Sequence, residues 1–303
     1  MKAPSLKFSS LDNADVGALI VALFVLAFLI AIPVLGFWEA VRGVLVEAVI
    51  LAASFTLARQ YLPWEDAPRE RIKNPRWEMA LAIVGILVFY VAWPQFLPVA
   101  DATSLFLNMM LATASLGAFA AAAFMPFGYA LRTWGLKLPT GRELLVLAGV
   151  AVITIGGSWL FGSILPLSEA PDVASVVRPV IPGALLWSFG QGIQQGLDLL
   201  PLLILMFAFS VFGQELFFRV YLQARLAHYL PGRWALFVQS ALYFVATLVP
   251  FYILTGWTLP GNFALTQVAL LSNGVLAGYF WRKTGSLPLL ILLHLLAFSR
   301  WGL

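Results

Sequence analysis

From Val16 onward, apolar run follows apolar run, each reaching the roughly 20 residues that a helix needs to cross the hydrocarbon core of a bilayer. Hardly a charge falls inside them. In lipid, backbone N–H and C=O groups find no water, so a spanning segment must satisfy them internally, as a helix does. The runs predict helices over 16–36, 40–58, 78–98, 104–125, 143–165, 199–222, 234–254, 262–281 and 286–302. The second is the least regular, because Glu39, Arg42 and Glu47 enter its first turns. Composition agrees: 61% of the 303 residues are hydrophobic and 11% charged, whereas a soluble domain is roughly a quarter charged. The expected fold is all-α, a polytopic transmembrane helix bundle of about nine spans.

Charge between the runs alternates. The 59–77 loop holds Arg59, Arg69, Arg71, Lys73 and Arg76; the 126–142 loop holds Arg132, Lys137 and Arg142; the 223–233 loop holds Arg225 and Arg233; the 282–285 turn holds Arg282 and Lys283. The intervening 99–103 and 255–261 loops have no Lys or Arg, and 166–198 has Arg178 alone against Glu169, Asp172 and Asp198. Cytoplasmic loops carry the excess of Lys and Arg. The pattern therefore predicts an integral protein of the cell inner or plasma membrane, with a cytoplasmic N-terminus and an outer C-terminus. The +4 net charge belongs to these loops and does not point to nucleic acid; the bilayer is the expected partner. No cleavable signal peptide is expected, since no small-x-small site follows the first run. The Pro- and Gly-rich 166–198 segment, apolar around Leu185–Phe189, reads as an outer loop with an interfacial helix. It divides a five-helix part, 1–165, from a second helical part, 199–303.

With no cysteine and two histidines, the chain excludes disulfides, thiolate catalysis and cysteine metal sites. No cofactor or metal is expected. Ionisable groups within spans are costly, so each calls for a reason. Glu215 and Arg219 stand i,i+4 on one helix and so can pair. His294 lies in the last run, in PLLILLHLLAF. Gln239, Thr247 and Gln267 read as hydrogen-bonding glue between helices, and His228 as a surface histidine.

Three ordered stretches then carry a resemblance: QELFFRVYLQ at 214–223, FVATL at 244–248, and GVLAGYFWRKTGSLPLLILLHLLAF at 274–298. They resemble the motifs of the CAAX protease and bacteriocin-processing (CPBP) family of intramembrane prenyl-protein proteases. The family pattern is EExxxR with a following Gln, then FxxxH, then HxxxN after a Gly-rich helix and a TGSL turn. The resemblance covers roughly 200–300 and implies catalytic positions at Glu215, Arg219 and His294. It also exposes departures. The family's first glutamate, which would activate water, is Gln214; the second-motif histidine is Leu248; the third-motif asparagine is Phe298. Hydrolysis needs a base and donors for an oxyanion, and an amide, a leucine and a phenylalanine supply no base. The expectation is a catalytically silent member, a pseudoenzyme, that binds another membrane protein or a hydrophobic ligand. The alternatives are an active endopeptidase with a rearranged site and a proton-coupled transporter relaying through Glu215, Arg219 and His294.

Overall fold

The structure is a computed structural model. It describes Val25 and residues 37–62, 72–96, 102–129, 134–164, 200–254 and 261–299. Most of the first expected helix, 16–36, lies outside the described residues, as does the whole 166–198 segment. The helices are α1, Phe37–Tyr61; α2, Pro75–Ile86, continuing through a π-helical stretch Leu87–Ala92 into Trp93–Phe96; α3, Ala102–Phe124; and α4, Gly141–Ile164. The second part holds α5, Leu200–Glu215, continuing through a π-helical stretch Leu216–Leu222 into Gln223–Tyr229; α6, Gly232–Leu254; α7, Gly261–Thr284; and α8, Leu287–Ser299. Among the described residues there is no strand. The all-α expectation therefore holds, and each described helix matches an expected run to within a few residues. One correction is clear. Residues 223–229 continue α5 and are not loop.

Two stretches among the described residues, Gly43–Tyr61 and Pro75–Ala92, are long and apolar enough to cross a membrane. That is fewer than the spans the sequence suggests. Large apolar side chains point outward along the helices, with Leu145 75% and Val152 73% exposed on α4.

α5 runs through the centre. Phe217, Phe218, Arg219 and Tyr221 on its π-helical stretch are all buried. Its tightest partner is α3: a Cβ on Gly117 would meet the backbone of Gly213, and a Cβ on Gly213 would meet the Thr113 carbonyl. Beside this crossing, the Thr113 and Ser210 hydroxyls hydrogen-bond. Small residues allow such backbone approach, which is how helices associate where lipid offers no hydrophobic drive.

The TGSL turn joins α7 to α8. Gly285 takes φ +61°, a left-handed conformation that costs glycine nothing, and its N–H bonds the Trp281 carbonyl at 2.8 Å. Ser286 then caps α8: its Oγ accepts from Leu289 N–H at 3.3 Å, the usual satisfaction of a helix's free first donors. The same hydroxyl donates to the Lys137 carbonyl at 2.8 Å, and Leu287 N–H reaches the Gly135 carbonyl at 2.8 Å. Lys73 Nζ donates to the Gly128 carbonyl at 3.0 Å. The basic segments thus gather at one end of the bundle, as the alternation of loop charge requires.

Candidate functional site

Glu215, Arg219 and His294, far apart in sequence, meet in the interior with 0%, 1% and 6% exposure. Glu215 closes the α-helical part of α5, and Arg219 sits one turn on, in the π-helical stretch. Their Oε2 and Nε lie 3.3 Å apart, so the i,i+4 pair read from the sequence forms. The second carboxylate oxygen, Oε1, is 2.5 Å from His294 Nδ1. The carboxylate therefore stands between two cationic or donor groups from α5 and α8. The contact with Glu215 holds the imidazole by Nδ1 and so sets the orientation of the ring.

Tyr243, from α6, completes the enclosure. Its ring centroid lies 4.4 Å from the Arg219 guanidinium carbon, a cation–π distance. It also meets the His294 ring edge-on at 6.3 Å. Its hydroxyl donates to Gln214 Oε1 at 3.3 Å. Thus Gln214 accepts a hydrogen bond as a neutral amide. Leu248 and Phe298 fall on described stretches of α6 and α8, but their side chains lie outside what is described.

Among the described residues no three His, Cys, Asp or Glu side chains gather as a metal site. The donor set does not fit one either, since Glu215 and His294 are two ligands where about three are needed and Arg219 already neutralises the carboxylate.

The smaller expectations divide. His228 is exposed, as a surface histidine. Thr247 bonds its own helix, to the Tyr243 carbonyl at 2.8 Å, so its hydroxyl is not glue between helices. Gln239 is fully buried, and neither of its amide atoms has a hydrogen-bond partner among the described residues. Gln223, the last residue of the first motif, does link helices, donating to the Gly278 carbonyl on α7 at 3.1 Å.

A second polar cluster had no sequence signal beyond an acid near the start of an apolar helix. Glu78, fully buried, accepts from Arg225 Nε at 2.8 Å and Nη2 at 2.5 Å through Oε2. Its Oε1 accepts from Tyr129 O–H at 2.7 Å and Asn74 N–H at 3.0 Å. The Arg225 guanidinium also lies over the Tyr221 ring at 4.1 Å. Both carboxylate oxygens are used, so this cluster reads as a structural clasp of α2, α5 and the segment after α3. At its rim, burial pushes the Tyr129 phenol up to about 12, with its bond to Glu78 adding to the rise.

The family model for type II CAAX prenyl endopeptidases, Rce1-like, matches residues 196–297. The matched stretch carries Glu215, Arg219, Tyr243 and His294. No curated protein matches the chain, and no solved structure does.

Proposed function

From this Rce1-like region we propose that the protein is an integral membrane relative of the CAAX endopeptidases that does not hydrolyse peptides and instead binds a membrane-protein partner or a hydrophobic ligand. The observation that carries the reading is the double engagement of Glu215. With one oxygen at His294 and the other at Arg219, this carboxylate is a charge-balanced acceptor and no free base. Gln214 beside it cannot take a proton at neutral pH. The family is membrane-embedded, and the apolar outward faces of the helices favour the same setting. In that setting the bundle has about nine spans, with the basic end cytoplasmic, the N-terminus inside and the C-terminus outside. The test is incubation of the purified protein with prenylated CAAX peptides. No cleavage is expected; cleavage abolished by His294→Ala would overturn the reading.

One observation favours a second reading, an active endopeptidase. A carboxylate holding Nδ1 orients an imidazole so that Nε2 can act as a general base. In that case His294 would take the role that Gln214 cannot fill, and Glu215 would be its positioning residue.

A further inference from the structure

α1 and α7 run side by side in the same direction. Ser272 Oγ donates to Glu47 Oε2 at 3.3 Å, and further along both helices the Phe55 and Tyr279 rings meet, centroids 4.2 Å apart. One turn beyond that contact come Arg59 on α1 and Lys283 on α7, each i,i+4 from its helix's aromatic residue and so on the same face. Both lie in the last turn of their helix, where Arg282 adjoins Lys283. The register therefore sets three cations at one corner of the bundle, over a floor of buried Phe55 and Tyr279. Lys283 is 6% exposed, with Nζ 5.7 Å from the Tyr279 ring centroid. Arg282 is half-buried and Arg59 exposed. Arg59 and Arg282 are the charges that act on Lys283, and both are positive.

The two helix C-termini supply about half a negative charge each, which offsets about one of the three cations. Like charges gathered around a nearly buried ammonium disfavour its charged form, and an anion at the corner relieves them. Depth says which anion. Arg59 stands near the end of Gly43–Tyr61, an apolar stretch long enough to cross a bilayer, so in that setting the corner lies at headgroup level. Basic pockets between helices at this level take anionic headgroups, and the guanidinium fork matches a phosphate. We propose that Arg59, Arg282 and Lys283 form a binding site for the phosphate of an anionic phospholipid. Arg59 and Arg282 are accessible to the headgroup, and Lys283 adds its charge from behind. The inference takes the membrane setting proposed above and is independent of whether Glu215 and His294 catalyse anything.

The experiment uses the full chain in mild detergent. It is titrated with phosphatidylglycerol carrying a fluorophore on an acyl chain, and binding is read by anisotropy. Unlabelled phosphatidylglycerol is expected to displace the probe. Phosphatidylcholine, whose headgroup has no net charge, and inorganic phosphate are expected to leave it bound. Arg59→Gln should weaken binding by roughly 5-fold, the weight of one cation beside an anionic headgroup. Arg76→Gln, which removes an exposed cation at the start of α2, serves as the control for net charge and should leave binding unchanged. Without lipid, Arg59→Gln should melt with wild type, because the side chain it replaces is exposed. With phosphatidylglycerol it should gain less in melting temperature than wild type does. Equal weakening by Arg59→Gln and Arg76→Gln, or no binding by wild type, would overturn the site. Displacement by phosphatidylcholine as effective as by phosphatidylglycerol would overturn the choice of an anionic lipid. Displacement by inorganic phosphate at matching concentration would overturn it in favour of a free phosphate. A lower melting temperature of Arg59→Gln without lipid would assign Arg59 a structural role instead.

Discussion

Replacing Glu215 by Gln keeps the side chain's shape and removes its charge. Arg219, 1% exposed, then loses the carboxylate 3.3 Å from its Nε. What remains nearby is the face of Tyr243 at 4.4 Å, which recovers about 2 kcal/mol at best. Breaking one side of a buried ion pair typically costs about 3–5 kcal/mol, because the surviving charge stays buried and uncompensated. The short contact with His294 weakens at the same time, but the groups act as one unit and the losses do not add. Glu215→Gln should therefore lose about 3–5 kcal/mol. Gln214→Ala, which gives up one 3.3 Å bond from Tyr243, should lose about 0.5–1.5 kcal/mol. The assay is unfolding of purified protein in mild detergent, followed by helical circular dichroism, with folded yield as a second readout. Glu215→Gln combined with Arg219→Met should recover most of the loss, since replacing both members of a buried pair by uncharged groups is often neutral. If Glu215→Gln is no less stable than Gln214→Ala, or if the double variant is worse than Glu215→Gln alone, the charge-balance reasoning is wrong.

In a chain without cysteine, single cysteines at the exposed Arg76, Leu138 and His228 should all label from the cytoplasmic side, and labelling of any of them from outside would refute the orientation. Arg225→Met should cost about 3–5 kcal/mol by stranding the Glu78 carboxylate, read as an equally large drop in unfolding midpoint. For Tyr129, whose folded phenol is raised to about 12 above the usual value of about 10, the sign is fixed. Its stabilising contribution is complete below about pH 10 and is lost as pH rises through about 12. The ultraviolet difference spectrum of wild type minus Tyr129→Phe should show no phenolate until that range, and ionisation near pH 10 would contradict its burial against Glu78.

The helices were legible because each apolar run settles its own backbone hydrogen bonds whatever its neighbours do. The α7–α8 turn was legible as the short gap between two apolar runs. The Glu215–Arg219 pair was legible too, since one turn of helix brings i and i+4 together whatever surrounds them. Loop charge likewise foretold which segments share an end of the bundle, and the contacts of Lys73 with Gly128 and of Ser286 with Lys137 agree.

What sequence alone could not decide is the rotation of each helix about its own axis. Helices that are apolar nearly all round carry little pattern to say which face turns inward. The meeting of Glu215 with His294, 79 residues away, the closure of Glu78 on Arg225, 147 residues away, and the placing of Tyr90 against Phe218 all depend on that rotation. Packing fixes it, through the close approach of Gly117 and Gly213 and the aromatic contacts around α5. The chain's local chemistry thus determined the helices and the i,i+4 pair, and only the tertiary structure decided which distant side chains that pair would meet.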